Sequence, residues 1–500
     1  MFRLPEKERV VMVTSTNRSN IMSGKLSVEA DLDSDIVSGV PTPLQFDAFV
    51  PWFCRIWCAS NNVLVTRIIQ GDYVKYENIN RKSKQRRGKR KSAITLLDER
   101  RSSIVGVSSS VSAPVLEDTE KEKERVVQMK TVYNNKKKLI EVSITGCPFK
   151  ISRRIIQAIG LCISFHSFLN RFTFRRGGLS AEIIYEINKL LPRSTLTEFC
   201  FDDSYVREGN YYILLENVSQ IKYLSLNRCK LTDAVCAKIV SCIEYGGPSA
   251  DSLKILELGS NEITDVGAKC IGTMLRRNRT LLHLNLSGNR ITDKGFEPII
   301  EALKQFDLTP QELRDKKGRR MRYVQNRAMV FEKCLENLKL GKSNDGDSGK
   351  KSIFNVKRVH RRTKRTLDDC YIAQAELMTS GIVGEFKDPY IGDENVVLID
   401  GQLCSKGNLV LSSLNVAYNN LKFPSILKVR DVVRYQGEIG KASNETGLVR
   451  ITLDGNAIPA SCIELDDIDV CLTEILNDVA HAPRKTRTSS FLRKMMARKS

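Results

Sequence analysis

Catalysis needs reactive side chains that can converge, and this chain of 500 residues carries only four histidines, His166, His283, His360 and His481. His360 stands in a run of basic residues and His481 at the start of the C-terminal tail, where a general base would have no fixed neighbours. His283 falls on an alternating apolar stretch with no nucleophile in evidence, so it reads as a surface contact. Cys54 and Cys58 are one helical turn apart, yet no third or fourth ligand lies near them, and they read as packed thiols. The segment Gly346 to Ser352, GDSGKKS, resembles a phosphate loop only faintly. Its first glycine is missing, Lys351 occupies the Ser/Thr position and no strand precedes it. No G-x-S-x-G, H-E-x-x-H or paired C-x-x-C occurs. The expectation is a chain that is not an enzyme, with no catalytic residue, no cofactor and no metal site.

The elements that would position any binding residue come from a pattern written three times between Ile221 and Leu303: IKYLSLNRCKLTD, LKILELGSNEITD and LLHLNLSGNRITD. Leu253, Leu256 and Leu258 alternate inward from a short strand, leaving Lys254, Ile255 and Glu257 on its open face. Cys229, Asn261 and Asn289 stand where the chain turns, and a buried Asn there can pair with amides and carbonyls of adjacent turns. Each Thr-Asp then precedes an apolar-periodic helix, as expected of N-cap chemistry. Gly267 and Gly295 would let neighbouring coils approach closely.

This frame is the signature of leucine-rich repeats, and its step length resembles the ribonuclease-inhibitor-like subclass. The resemblance implies an α/β solenoid with parallel strands on the concave face and helices on the convex face. Weaker copies run through Leu139 to Phe149, Leu169 to Leu179 and Leu196 to Val206, and the frame resumes at Leu411 to Leu421 and Leu448 to Ile458. The expected organisation is disorder over 1–42, an N-terminal cap over 43–76 and a basic and acidic linker over 77–130. Repeats fill 131–307, a basic, partly helical insertion 308–395, further repeats and a C-terminal cap 396–480, and a basic tail 481–500. Within the insertion, Val330, Phe331, Cys334, Leu335 and Leu338 form one helical stripe.

The net charge of +21 is concentrated in the attachments. Arg81 to Arg101, Leu308 to Cys370 and Pro483 to Ser500 hold more than all of it, so the repeat body is not basic. Those runs would seek acidic surfaces, a microtubule or, with less support, nucleic acid. They lack the interleaved aromatics of a single-strand platform and match no nucleic-acid module. The amino terminus has no signal-peptide pattern and no apolar run is long enough to span a membrane, so a cytoplasmic location is expected and the fourteen cysteines read as reduced. Phe491, Leu492, Met495 and Met496 interleave the basic tail and would let it lie on an acidic groove or a membrane surface as an amphipathic helix.

The order of three well-formed copies, a long insertion and a GNLVLSSLNVAYNNL copy resembles the leucine-rich-repeat-containing protein seventy-one family over about residues 135 to 475. That resemblance implies ciliary or cytoskeletal surroundings, while the basic run Lys82 to Lys91, KSKQRRGKRK, could serve as a nuclear localisation signal and keeps a nuclear location as the alternative. Some proteins of this fold activate a small GTPase along the repeat edge and end in an acidic tail, whereas this chain ends in a basic one. The expected function is a protein-interaction scaffold with a partner on the concave face. The outward phase of each strand selects Lys222, Tyr223, Ser225, Lys254, Glu257, His283, Asn285, Ser412, Ser413, Asn415, Arg450 and Thr452. The alternative is polyanion binding through Arg319, Arg320, Arg322, Lys357, Arg358, Arg361, Arg362, Lys364 and Arg365.

Overall fold

The computed structural model describes residues 40–57, 62–70, 125–217, 220–340, 367–392, 395–440, 447–459 and 461–481. The expectations for the first 39 residues, Cys58, the run Arg81 to Arg101, Gly346 to Ser352, His360, the residues Lys357 to Arg365 and the basic tail lie outside them. Of the two compact units, Met1–Pro41 and Thr42–Ser500, the second holds every element named below.

The unit opens with a helix, α1 (Phe46–Trp57), and a strand, β1 (Asn62–Ile69). A hairpin follows, β2 (Val126–Tyr133) and β3 (Leu139–Thr145), paired antiparallel. The chain then alternates α2 (Arg153–Ile163), β4 (Arg171–Arg175), α3 (Ala181–Leu190), β5 (Glu198–Cys200), α4 (Ile213–Glu216), β6 (Tyr223–Ser225), α5 (Asp233–Ile243), β7 (Ile255–Glu257), α6 (Asp265–Leu275), β8 (His283–Asn285) and α7 (Asp293–Glu301). The insertion comprises β9 (Phe306–Asp307), α8 (Pro310–Leu340), α9 (Leu367–Val383), β10 (Val396–Ile399) and β11 (Gln402–Ser405). The solenoid closes with β12 (Ser413–Asn415), α10 (Phe423–Gly440), β13 (Arg450–Thr452) and α11 (Ile463–His481).

Ten strands form one sheet in the order β1 to β8, then β12 and β13, parallel except at the β2–β3 hairpin. The β8–β12 register aligns His283 with Ser413 and Asn285 with Asn415, so the sheet runs past the insertion without a gap. Eight of these strands, β3 to β8, β12 and β13, carry the repeat frame.

The turn chemistry explains the stacking. Asn261 Oδ1 accepts the amides of Cys229 and Leu231 in the preceding coil at 2.9 and 3.1 Å, and its Nδ2 donates to Leu226 and Leu258 carbonyls at 2.9 and 2.8 Å. Asn289, Asn419 and Asn456 repeat the arrangement, forming a ladder that satisfies buried main-chain groups. The Thr-Asp pair divides its labour. Thr264 and Thr292 cap their own helices, while each Asp reaches forward: Asp233 accepts the Thr264 and Gly267 amides at 2.8 and 3.0 Å, and Asp265 accepts the Thr292 amide at 2.7 Å. A Cβ on Gly295 would lie 2.6 Å from the Asp265 Cα, so only glycine lets α7 come this close. Upstream, where Asn is absent, the interior is filled by Phe172, Phe174, Phe199, Phe201 and Tyr211, all fully buried.

Three boundaries differ from the sequence reading. The solenoid starts before the linker was expected to end, because Val127, Met129, Thr131 and Tyr133 alternate inward along β2. The insertion begins at β9 rather than at 308, and it extends past 395, since β10 and β11 pair with β9 in a separate three-stranded sheet. Asp400 and Gly401, with φ of 48° and 77°, supply the two left-handed residues that a tight hairpin turn demands.

The insertion is a helical hairpin. Arg319 pairs with Asp388 at 2.6 Å, the Tyr323 hydroxyl donates to the Gly384 carbonyl at 2.8 Å, and Arg327 pairs with Glu376, an antiparallel register. The stripe Val330, Phe331, Cys334, Leu335 and Leu338 is partly or fully covered, as its spacing predicts. Thr309 and Glu312 cap α8 reciprocally: the Thr309 amide donates to Glu312 at 2.8 Å and the Glu312 amide to Thr309 Oγ1 at 3.2 Å. Glu312, only 3% exposed, also takes two bonds of 2.8 Å from Arg276 on the solenoid and one of 2.8 Å from Tyr390. Burial pushes its carboxyl up, but the bonds from Arg276, Thr309 and Tyr390 outweigh it and hold the group at about 2. This buried carboxylate fastens the insertion to the repeats.

Candidate functional site

Strand register turns the concave face into rows of side chains that cross the eight repeat strands, β3 to β8, β12 and β13. The first row runs Glu141, Arg171, Glu198, Tyr223, Ile255, His283, Ser413 and Arg450. The second runs Ser143, Thr173, Cys200, Ser225, Glu257, Asn285, Asn415 and Thr452.

The rows are knitted together by charge-assisted contacts. Arg171 lies between Glu198, whose Oε2 accepts from its Nε at 2.7 Å, and Glu141 at 3.9 Å, and its guanidinium stands 6.0 Å from the Tyr223 ring centroid. Burial opposes the Arg171 charge, but Glu198 and Glu141 outweigh it and raise its pKa. Arg175 faces Asp202 at 3.7 Å, and Asp202 accepts the Ser225 hydroxyl at 2.5 Å and the Asn227 amide at 3.1 Å. Glu257 meets His283 Nε2 at 3.0 Å with one oxygen and accepts from Asn285 Nδ2 at 2.6 Å with the other. Burial and the neighbouring Glu257 carboxylate push the Tyr223 phenol above its usual range. Polar groups held this way lose little further rotamer freedom when a partner docks, which is how preorganisation adds affinity.

The expected face residues divide into two sets. Lys222 and Arg450 are exposed, and Tyr223, Lys254, Glu257, Asn285, Asn415 and Thr452 are half-buried on the concave side. Ser225, His283, Ser412 and Ser413 are buried instead. Strand phase alone ignored the height of neighbours. Ser225 sits beneath the Asp202–Asn227 pair, and Ser412 turns its hydroxyl to the Val410 carbonyl at 3.1 Å. His283, 3% exposed, is roofed by Glu257, so it is a structural partner rather than a surface contact. Sequence reasoning missed Glu141, Arg171, Arg175, Glu198 and Asp202, which belong to the copies with irregular anchors. For Arg171, Arg175, Glu198 and Asp202 the signal was the charged residue beside each Phe of RFTFR and EFCFD; Glu141, in LIEVSIT, had no such neighbour.

Of the basic residues assigned to polyanion contact, Arg319 is tied to Asp388 and stacked 5.2 Å from the Tyr245 ring. It is a clamp between the insertion and the repeat body rather than a free cation. Arg320 and Arg322 are exposed. Burial pushes the thiols of Cys162, Cys229 and Cys236 up to about 12. Among the described residues no group of three or more His, Cys, Asp or Glu could hold a metal, and no helix is long and apolar enough to cross a membrane.

The profile described as "Leucine Rich repeat" matches residues 251–272 and 277–299, the β7 and β8 coils at the centre of this face. The chain carries leucine-rich repeats, folded as an α/β solenoid. Repeats of this kind generally mediate protein–protein interaction and are typically not catalytic. The repeat protein is similar to RAN GTPase-activating protein 2 of Arabidopsis thaliana, with 29% identity over 82 residues, 16% of this chain. The match spans 14% of that protein's length. Among solved structures, leiomodin-1 actin-binding site 2 is similar at 12% identity and a TM-score of 0.27, over 57% of this chain and 95% of that one. A likeness that weak carries no functional argument.

Proposed function

We propose that this repeat protein is a non-catalytic scaffold that binds a protein partner on its concave face, in a cytoplasmic assembly of ciliary or cytoskeletal type. One observation carries the reading. The polar side chains of β3 to β8 are locked by one another, through Arg171–Glu198, Asp202–Ser225 and Glu257–His283, into a fixed charged surface, with Lys222, Lys254 and Arg450 standing around it. Interface energetics favour such prepositioned groups, with aromatic and Arg anchors at the centre. Tyr223 and Arg171 stand together on the face in that role. The assembly type comes from the family resemblance. The test is affinity capture from ciliated-cell extract with the full chain and with Lys222→Glu/Lys254→Glu/Arg450→Glu. These three side chains form no salt bridge among the described residues, so the variant should fold normally. Loss of the principal partner supports the reading, and an unchanged capture refutes it.

A second reading, a polyanion-binding adaptor, is favoured by Lys317, Arg320 and Arg322, all exposed on α8. Sedimentation with microtubules and with RNA over a salt series, comparing the wild type with Arg320→Glu/Arg322→Glu, tests it. Equal binding by the variant refutes it.

A further inference from the structure

The insertion carries an apolar groove that neither reading uses, although its rim shares Lys317 and Arg320 with the polyanion reading. It is an open cavity of about 720 Å³ between the first turns of α8 and the small sheet. Its floor is apolar: Leu313, Met321 and Val324 from α8, closed by Ile391 and by Leu403 on β11. Leu398 pairs directly with Leu403 across the β10–β11 hairpin, so the two side chains share one side of the sheet and the apolar surface continues. Met321, Val324 and Leu398 are 59%, 49% and 69% exposed. Apolar side chains gathered in one concave place, unlike scattered ones, mark a binding surface.

The rim selects the occupant. Lys316, Lys317 and Arg320 line the groove, and none forms a salt bridge among the described residues. The acidic residues of the same stretch are turned elsewhere, Glu312 to Arg276 at 2.8 Å and Asp315 to Arg277 at 3.7 Å. The local field is therefore positive around an apolar trough. Its dimensions suit a helix: Leu313 to Val324 spans roughly 16 Å along α8, about three turns. The face borders the hairpin contacts: Arg319, Tyr323 and Arg327 pair across the hairpin, and the Arg320 guanidinium stands 5.2 Å from the Phe386 ring centroid, which holds it at the rim. Met321 adds an adaptable side chain of the kind that recurs in grooves binding amphipathic helices.

We propose that this groove docks an acidic amphipathic helix of a partner protein. Its apolar residues, spaced i, i+3 or i+4, and i+7, enter between Met321, Val324 and Leu403. Its carboxylates meet Lys316, Lys317 and Arg320. The site is independent of the concave face, so either can fail without the other.

A display selection of random 16-residue peptides on the full chain tests this. The wild type is compared with Met321→Glu/Val324→Glu, with Lys316→Glu/Lys317→Glu/Arg320→Glu, and with Arg322→Glu as a control outside the groove. The expected enriched peptides are acidic with apolar residues on one helical face. Synthetic copies should bind at least tenfold more weakly to both groove variants, bind Arg322→Glu as they bind the wild type, and lose affinity when scrambled at constant composition. Circular dichroism of each variant establishes that the helices remain. Four results would each overturn the proposal: no groove-dependent peptide enriched, enriched peptides that are basic or lack an apolar face, scrambled peptides binding equally well, or a concentration-dependent dimer abolished by Met321→Glu/Val324→Glu. An RNA oligonucleotide whose binding survives Met321→Glu/Val324→Glu but not the triple charge reversal would show a plain polyanion surface instead, and would likewise overturn it.

Discussion

Replacing Asn261 by alanine removes one rung of the ladder that joins adjacent coils. The side chain accepts the Cys229 and Leu231 amides at 2.9 and 3.1 Å and donates to the Leu226 and Leu258 carbonyls. The Leu258 carbonyl keeps a second donor, Asn289 Nδ2, at 3.0 Å, so it is not orphaned. The two amides are the larger loss. A buried donor left without its partner costs roughly 1–3 kcal/mol, so the pair gives about 4 kcal/mol, well beyond a typical point substitution. Cys229→Ala at the neighbouring anchor is the internal comparison, because its thiol makes weak sulfur contacts, to the Phe201 carbonyl at 3.2 Å and the Asn227 carbonyl at 3.6 Å. Its expected cost is about 1 kcal/mol. Urea unfolding followed by circular dichroism reports both as shifts in midpoint. Hydrogen exchange at residues 229 and 231 reports the loss locally. If Asn261→Ala lies within about 1 kcal/mol of the wild type, or Cys229→Ala costs as much as Asn261→Ala, the ladder does not hold the coils together.

Three further outcomes are expected. Glu312→Gln should destabilise the attachment of the insertion by about 3 kcal/mol at neutral pH, since a carboxyl held at about 2 against an ordinary 4.5 contributes stability above 4.5 that disappears as pH falls towards 2. Proteolysis within α8 as a function of pH measures it, and a variant whose deficit persists at pH 2 would show that the ionised carboxylate is not the cause. Gly295→Ala should cost about 2 kcal/mol through the clash with Asp265, whereas Gly318→Ala on α8, with open space around it, should be neutral or stabilising by up to about 1 kcal/mol in thermal melts. Under native conditions at pH 8, alkylation read by mass spectrometry should reach exposed Cys370 well before Cys162, Cys229 and Cys236, whose buried thiols stay protonated.

The repeat fold was legible because its constraint is periodic. Asn261, Asn289, Asn419 and Asn456 must each answer unpaired groups of the coil before, so the same residue recurs at the same phase. The irregular copies were readable through Phe172, Phe174, Phe199 and Phe201, which keep the inward alternation without the Asn. The face was less legible. Alternation says which way a side chain leaves the strand but nothing of what covers it, so Ser225 and His283 were assigned outward and are buried under Asp202 and Glu257. The attachment of the insertion was legible only locally. The Thr309–Glu312 cap is a short-range pattern, whereas its partners Arg276 and Tyr390 lie 36 residues before and 78 after Glu312. The β10–β11 hairpin had a plain signal in Asp400-Gly401 between apolar runs, masked by the expectation that another repeat began there.

The most direct measurement of the central claim is a hydrogen-exchange footprint of the full chain with and without the partner recovered by the affinity capture. The scaffold reading requires protection concentrated in β4 to β8 and at the entries to those strands, around Lys222 and Lys254. Protection confined to the convex helices α5 to α7 or to α8, with the strands unchanged, would contradict it.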